Sequence, residues 1–369
     1  MNSIKIVHTA DLHLTNPDLI TDKVRRQLAF DSLSVFYSII DFCKEYIPDV
    51  LLICGDLFSR PNEGDNFAKR VFEKFSEISS TKVIITPGNH DFIYSSSPYI
   101  ALQFQENVHI FSEFSQLDIE NKNLKIYGAG FDKRFINQSI FKPTLSDNTI
   151  KICAIHGDVT NSESEYNPIT TEDIGNSEYN YVALGHIHTF SGIKSVGNVK
   201  YAYPGTPQGQ GFDEKKEKGI IWGTISKDCV NLNFREMSKR LFLEISYNID
   251  NSLSASQVYS EIITFLDKEY GENYQENLYR INLTGEYKDN HTLFINYITE
   301  NLKNNLFYCE IIDKMKPDIS ILKDKVNKTS VKGIFLEKVI KLLEDSDTKT
   351  TEIAKKALYI GLEVLGDEN

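Results

Sequence analysis

Histidine, aspartate and asparagine side chains recur in this sequence directly behind short apolar runs. The segment "YVALGHIHT" (181–189) places His186 and His188 with one residue between them, immediately after an apolar stretch. Six of the eight histidines stand in such positions together with acidic and amide neighbours: His8, Asp11, His13, Asp56, Asn89, His90, Asp91, His156, His186 and His188. Imidazole and oxygen ligands without thiolates suit Mn, Fe or Zn better than Ca or a structural zinc. The pattern therefore predicts a metal site.

Strands must position these side chains, because each polar group follows an apolar run. Over the first 237 residues such runs alternate with helical patterns, which is typical of a layered α/β domain. We predict strands at 4–8, 49–54, 82–86, 124–128, 150–155, 179–184, 218–225 and 229–236, and helices at about 22–46 and 65–79. Loops at the carboxyl ends of strands converge on one edge of an α/β sheet, so these side chains should meet there.

The pattern changes after about residue 240. A strand, helix 254–270, a second strand, helix 291–304 and a third strand predict a compact second α/β domain. Two amphipathic helical patterns, 332–344 and 349–365, follow a polar segment that contains several lysines. We predict a division into a first domain, a smaller second domain, a linker and a helical C-terminal segment, at 1–237, 238–312, 313–331 and 332–369.

Composition limits the classes of protein that fit. The formal charge of -12 argues mildly against a nucleic-acid partner, since phosphate contacts need a basic surface. The five cysteines are widely spaced, odd in number and without a C-x-x-C pair, which suits buried thiols rather than disulfides or a thiolate metal site. Because the N-terminus carries no signal-peptide pattern and no window approaches a membrane span, we expect a cytoplasmic protein without membrane contact.

Five short motifs resemble the signatures of the calcineurin-like metallophosphoesterases. They are D-x-H (Asp11, His13), G-D (Gly55, Asp56), G-N-H-D (Gly88 to Asp91), H-G (His156, Gly157) and G-H-x-H (Gly185 to His188). Within that superfamily, "HTADLHL", "ICGDLFSRP", "ALGHIHT" and "YPGTPQGQGFDEKKEKG" look like the bacterial SbcD-type DNA repair nucleases, especially the YhaO-like branch. The resemblance implies a four-layer α-β-β-α sandwich, a smaller α/β capping domain and a C-terminal helix pair.

The resemblance also implies a dinuclear centre, usually with manganese. Asp11, His13, Asp56 and His188 would hold one ion, and Asp56, Asn89, His156 and His186 would hold the other, with Asp56 as the bridge. Catalytic roles fall to His90, which would contact the scissile phosphate or protonate the leaving oxygen, and to Asp91, which would orient the His90 ring. His8 is expected to support a ligand or the fold rather than to bind an ion, because Asp11 and His13 already satisfy the first motif.

Two features depart from the pattern of the nucleases. Ser59 stands where relatives usually carry Asp or His, so a contact near the bridging ligand would be lost or replaced by a hydroxyl. The chain is also acidic for an enzyme that acts on DNA. The basic residues expected nearest to the site, each of which is otherwise an ordinary surface charge, are Arg60, Lys69, Arg70, Lys133 and Arg134.

Three classes of function follow. The resemblance implies a metal-dependent DNA phosphodiesterase, with exonuclease activity on ends and endonuclease activity on single strands, that forms a homodimer and binds an SbcC-type coiled-coil ATPase through its terminal helices. A stand-alone phosphatase or small-molecule phosphodiesterase is the second class, although Pro87 precedes G-N-H where phosphoprotein phosphatases usually carry Arg. The third is a scaffold without catalysis, against which the intact ligand set argues. The helix pair could equally pack on its own protein.

Overall fold

The chain folds into two compact units, Met1–Leu241 and Phe242–Asn369. Our computed structural model describes residues 3–214, 217–250, 252–287, 291–318, 322, 330–345 and 348–365. The finer division of the chain at 237, 312 and 331 stays a prediction.

The first unit contains the strands that carry the predicted site. Its strands are β1 Ile4–Thr9, β2 Val50–Cys54, β3 Lys82–Thr86, β4 Val108–Ile110, β5 Ser115–Ile119, β6 Leu124–Ala129, β7 Ile150–His156, β8 Asp158–Val159, β9 Pro168–Ile169, β10 Tyr181–Gly185, β11 Lys194–Val196, β12 Val199–Ala202, β13 Gly219–Ile225 and β14 Val230–Glu236. Its helices are α1 Lys23–Tyr46, α2 Asp65–Glu73, α3 Pro98–Ala101 and α4 Thr171–Gly175, with 3-10 turns at Pro17–Leu19, Lys74–Ile78 and Glu120–Lys122. The strands absent from the sequence prediction are short or weakly apolar.

Two six-stranded sheets form the middle of this unit, in the orders β14-β13-β1-β2-β3-β4 and β11-β12-β10-β7-β6-β5. The strands β1 to β4 run parallel, as do β6, β7, β10 and β12. Apolar side chains of both sheets pack in one core, for example Leu52 and Ile84 with Ile152 and Ala183. Every one of these four side chains is fully buried, so the two sheets lie face to face.

Helices cover the outer face of the first sheet. Helix α1 begins after Asp22, whose side chain accepts a hydrogen bond from the Arg25 amide, and it packs Val35 and Ile39 against Leu51. The outer face of the second sheet is covered by the short helix α4 and the loops around it. The predicted four-layer α-β-β-α fold is confirmed, with a fourth layer that consists mostly of loops.

The second unit is a small α/β domain followed by a helix pair. Its elements are β15 Phe242–Ile249, α5 Ala255–Tyr270, β16 Leu278–Tyr287, α6 His291–Asn305, β17 Tyr308–Asp313, β18 Lys316–Pro317, α7 Val331–Asp345 and α8 Thr348–Leu365, with a 3-10 turn at Tyr274–Glu276. Strands β15, β16 and β17 form a parallel sheet, and β18 adds to β16. Helices α5 and α6 pack on this sheet around Val258, Ile262 and Ile298.

The two terminal helices have a core of their own, which includes Leu336, Ile340 and Leu358. They also contact the preceding sheet, because the Tyr359 hydroxyl donates a hydrogen bond to Glu286 Oε1 at 3.1 Å. Of the linker predicted at 313–331, residues 319–321 and 323–329 lie outside the described residues, as do 346 and 347 of the predicted turn between the helices.

Candidate functional site

The loops that follow β1, β2 and β10 hold their polar residues in an uncommon backbone conformation. Asp11, His13, Asp56 and His186 have φ angles of 51°, 46°, 50° and 112°. Such conformations cost on the order of 1–3 kcal/mol for a residue other than glycine and cluster at functional sites. The His13 amide donates to the Asp56 carbonyl at 2.9 Å, so backbone hydrogen bonds between two loops hold this geometry.

Two glycines allow the loops to come this close. A Cβ atom on Gly185 would lie 1.6 Å from the Cys54 carbonyl oxygen, and one on Gly88 would lie 2.3 Å from Asp56 Oδ1. Neither position can therefore carry a side chain without moving a strand end or a predicted ligand.

The first cluster of the site contains Asp11, His13 and His188, whose ligand atoms all lie within 4.8 Å of one another. His13 Nε2 is 3.0 Å from His188 Nε2, and His188 Nε2 is 4.0 Å from Asp11 Oδ1. The other ring nitrogen of His188, Nδ1, lies 2.6 Å from Glu214 Oε1. Because a carboxylate only accepts, Nδ1 carries a hydrogen, and the two facing Nε2 atoms share either a proton or a cation.

The second cluster lies directly beside the first and contains Asp56, Asn89 and His156. His156 Nδ1 donates to the Cys54 carbonyl at 3.0 Å, so the lone pair of the neutral ring is on Nε2, which is 2.9 Å from Asn89 Oδ1. Asp56 Oδ2 lies 3.6 Å from His156 Nε2 and 3.8 Å from His13 Nε2. Asp56 thus lies between His13 of the first cluster and His156 of the second. Asp11 is near enough to belong to both groups.

Burial dominates the electrostatics of the site. It raises the pKa of Asp11 to about 7 and that of Asp56 well above its ordinary value. It lowers the pKa of His13 and His156 well below the ordinary histidine value. Burial also lowers the pKa of His188, but the hydrogen bond that its ring donates to Glu214 and the charge of Asp11 outweigh this effect, so the net shift is upward.

These residues fit divalent cations. Buried carboxylates next to neutral imidazoles lack the positive charge that would stabilise their ionised form. In each cluster an imidazole lone pair converges with an oxygen or nitrogen ligand atom, and the far side of two of the rings is held by a hydrogen-bond acceptor, as is usual for histidines that bind metals.

His186 contacts the first cluster through its backbone rather than through its ring. Its backbone amide donates to both oxygens of Asp11 at 3.0 and 3.1 Å. Its ring centroid is 5.2 Å from that of His156 and 4.7 Å from that of Tyr166. Burial lowers its pKa to about 4. The ligand groups formed by the described side chains do not include His186, so its role as a ligand stays a prediction.

His90 stands at the rim of the site, half-buried. Its backbone amide donates to Asp56 Oδ1 at 2.8 Å, and its ring meets the ring of His13 edge-on at 4.9 Å. Burial lowers the pKa of His90, a hydrogen bond to the Ser59 backbone opposes this, and the charge of Arg134 lowers it further. Arg134 is thus a predicted basic residue whose charge reaches the site, whereas Arg60 is paired with Glu63 at 3.0 Å.

The Asp91 carboxylate is held by three hydrogen-bond donors. Its carboxylate accepts hydrogen bonds from the Gly88 amide at 2.7 Å, the Phe58 amide at 3.1 Å and the Tyr99 hydroxyl at 2.5 Å. The described contacts include no hydrogen bond between this carboxylate and the His90 ring. The orientation of this ring by Asp91 stays a prediction. One carboxylate oxygen of Asp91 accepts from Gly88 of the G-N-H-D turn and the other accepts from Phe58 of the loop after β2, so Asp91 holds the turn against that loop.

Several supporting contacts were not evident from the sequence. Glu214, which holds His188, lies in the segment "FDEKKEKG" and carries no strand-end signal of its own. The Ser59 hydroxyl donates to the His13 carbonyl at 2.6 Å, so the residue that departs from the nuclease pattern still supports the site. His8 is structural, as predicted: its ring nitrogens lie 2.8 Å from the Tyr181 hydroxyl and 3.1 Å from the Leu184 carbonyl.

Comparison with known proteins agrees with this geometry. The family model of calcineurin-like phosphoesterases matches residues 4–190, a span that contains every predicted ligand and catalytic residue. The chain belongs to the calcineurin-like phosphoesterase family. It is 25% identical over 278 residues to the uncharacterized metallophosphoesterase YhaO of Bacillus subtilis (strain 168), a match that covers 71% of this chain and 67% of the relative.

Membership of the calcineurin-like phosphoesterases makes this protein a metal-dependent hydrolase. Two groups of side chains could hold the metal, one of Asp11, His13 and His188 and one of Asp11, Asp56 and His156. Glu214 lies beyond the residues that the family model matches. Within the described parts of the chain, none of the helices combines the length and the apolar character that a membrane span requires.

Proposed function

We propose that this protein is a phosphodiesterase that hydrolyses DNA with two divalent ions, most often manganese, as an exonuclease on ends and an endonuclease on single strands. The observation that carries the proposal is the position of Asp56 between two ligand clusters, with His90 on the rim. A pair of ions at such clusters would supply positive charge to a phosphate oxygen and would activate water.

The residues of the chain supply position and proton transfer. Asp56 Oδ1 holds the His90 backbone, so the His90 ring stays next to His13. From there the ring can donate a hydrogen bond to a phosphate oxygen or a proton to the leaving oxygen, a role that typically contributes about 10² to 10⁴ in rate. Glu214 and the Cys54 carbonyl hold His188 and His156 in the tautomer that directs Nε2 inward.

A phosphatase or a small-molecule phosphodiesterase on the same site is the alternative. The name of YhaO describes it as a metallophosphoesterase and does not distinguish these functions. Pro87 favours a diester, because a monoester carries an additional charge and this position offers no guanidinium to receive it. Arg134 has an exposed side chain, and we propose that it contacts a phosphate of a polyanionic substrate such as DNA.

The test is a substrate series with manganese. We expect hydrolysis of bis-p-nitrophenyl phosphate, linear duplex DNA and a single-stranded circle, and little hydrolysis of p-nitrophenyl phosphate. Preferential hydrolysis of the monoester would replace the proposal with a phosphatase. Hydrolysis of the small diester without cleavage of either DNA would replace it with a small-molecule phosphodiesterase. A protein inactive on all four substrates would support a scaffold.

We also propose two protein partners. Exposed apolar side chains on α7 and α8 support docking to an SbcC-type coiled-coil ATPase. They are Val331, Ile334, Leu342, Ile353, Ile360 and Val364. The contact of Tyr359 with Glu286 supports the competing interpretation, that the helix pair packs on its own protein. A homodimer is the second proposal, which light scattering on the purified protein would test directly.

A further inference from the structure

A cavity of about 260 Å³ lies beside the first ligand cluster. Its lining includes His13 and Ser59 of the site loops, Arg25 and Leu28 of helix α1, and Gln210. Ligand clefts usually measure about 300–1,000 Å³, so this cavity suits one unit of a larger substrate rather than a whole ligand.

The cavity wall is joined by hydrogen bonds to two predicted ligands. The Ser59 hydroxyl in the wall donates to the His13 carbonyl at 2.6 Å. The backbone amide of Gln210 donates at 2.9 Å to Glu214 Oε2, and the other oxygen of Glu214 accepts from the His188 ring. A group bound in the cavity would therefore lie immediately next to a phosphate held at the first cluster.

Arg25 gives the cavity its charge. Its backbone amide is capped by Asp22 at 2.8 Å, and its side chain is exposed. None of the residues that the structure describes forms an ion pair with Arg25, whereas its neighbour Arg26 pairs with Asp18 at 3.7 Å. The described residues that line the cavity include no acid, although the chain as a whole carries a formal charge of -12.

Apolar and small polar groups complete the lining, among them Ile20, Leu28, Thr15 and Ser59. This combination matches a nucleotide, whose sugar and base have apolar faces and whose phosphate is an anion. A phosphate anion without a nucleoside would leave the apolar part of the cavity uncovered.

We infer that the cavity receives the nucleotide next to the scissile bond of a single-stranded oligonucleotide, and that Arg25 contacts the phosphate of that nucleotide. Arg25 is then a residue that selects polymeric substrates over small diesters. The inference rests on the proposed phosphodiesterase function and adds a subsite to it.

The test compares Arg25→Gln with the matched control Arg26→Gln on two substrates, a short oligothymidylate and bis-p-nitrophenyl phosphate, with manganese. We expect the ratio of kcat/KM on the oligonucleotide to kcat/KM on the small diester to fall about tenfold in Arg25→Gln, the loss of one charged hydrogen bond. Arg26→Gln should keep the wild-type ratio, and Arg25→Lys should recover part of it because the positive charge remains.

Salt dependence separates a phosphate contact from a structural effect. The slope of log(kcat/KM) for the oligonucleotide against log salt should become less negative by about 0.7 in Arg25→Gln, the value for one phosphate contact on a single strand. If the wild-type enzyme cleaves both substrates and Arg25→Gln changes neither the ratio nor the slope, the inference about Arg25 is wrong and the proposed function still stands. A wild-type enzyme that cleaves neither would overturn the proposed function instead.

Discussion

Glu214 Oε1 lies 2.6 Å from His188 Nδ1, and the second oxygen of Glu214 accepts from the Gln210 amide at 2.9 Å. Lys218 adds to this arrangement, because its Nζ donates to the His188 carbonyl at 2.8 Å. A residue outside the predicted ligand set thus determines which nitrogen of His188 faces the site.

Glu214→Ala should lower the affinity for manganese by about 10- to 100-fold, because the His188 ring loses the acceptor that fixes its tautomer. Glu214→Gln should lose less, since an amide oxygen still accepts from Nδ1. Titration calorimetry with manganese on the metal-free protein measures both. Glu217→Ala, at a nearby exposed position, is the control. Wild-type affinity in Glu214→Ala would show that the contact does not support metal binding.

Metal content should distinguish Asp56, which we propose binds both ions, from His188, which we propose binds one. Asp56→Ala should lose both ions, because Asp56 stands between His13 and His156, whereas His188→Ala should weaken one ion more than the other. Elemental analysis after manganese loading and gel filtration measures the ions per chain. A wild-type protein that retained one ion or none would contradict the dinuclear centre.

His90→Ala should reduce turnover of bis-p-nitrophenyl phosphate by about 10² to 10⁴ while the metal content stays at the wild-type level. The reason is that the His90 ring stands at the rim and is absent from both ligand groups of the described residues. Steady-state kinetics combined with elemental analysis provides the check. If His90→Ala kept wild-type turnover, the proposed role of His90 in proton transfer would be wrong. If the variant lost metal, His90 would be a metal ligand instead.

Metal should stabilise the fold more strongly as the pH rises. Burial raises the pKa of Asp11 to about 7 and that of Asp56 well above its ordinary value. In the metal-free protein the stability associated with these protonated carboxyls is present below their unfolded pKa and is lost as the pH rises through the folded pKa. Manganese binds the deprotonated forms, so its stabilising effect should increase over the same range.

The increase in Tm caused by manganese should therefore be small near about pH 5 and larger near about pH 8. Thermal unfolding across this range, with and without manganese, measures it. Calcium at the same concentration is the control, since its preference for 6–8 oxygen ligands suits these imidazole-containing clusters poorly. A manganese effect that did not vary with pH would show that the buried carboxyls are not the groups that bind it.

The helix pair offers a test of the partner proposal that leaves its own core intact. Ile353 and Ile360 are 60% and 62% exposed, whereas Leu358 on the same helix is fully buried. Changing Ile353 and Ile360 together to Ser should abolish binding to an SbcC-type ATPase in a pull-down, while Tm and hydrolysis of the small diester stay at wild-type values. Leu358→Ser should lower Tm instead, by opening a cavity in the helix core.

A lower Tm together with slower hydrolysis of the small diester in the Ile353 and Ile360 double variant would favour the competing interpretation, in which the helix pair packs on the protein itself. Deletion of 330–369 is the stronger form of the same test. It also removes the hydrogen bond of Tyr359 to Glu286, so the double variant separates docking from folding more cleanly.

The sequence by itself determined the fold class and the positions of the site residues. Apolar runs such as Val50–Cys54 read as buried strands, and a parallel strand brings the residues behind its carboxyl end to one edge of the sheet. The residues behind these strands, Asp11, Asp56 and His156, could therefore be expected to meet although they are far apart along the chain, and they do.

Only the tertiary structure decided how the supporting side chains are directed. Glu214 stands 26 positions after His188 in a loop, and no periodic pattern predicts the direction of a loop side chain. Asp91 could have faced the His90 ring or the turn below it, and packing against the loop after β2 placed it on the Gly88 and Phe58 amides. Motifs specify which residues reach the sheet edge, whereas competition between hydrogen-bond partners in the folded chain determines what each one holds.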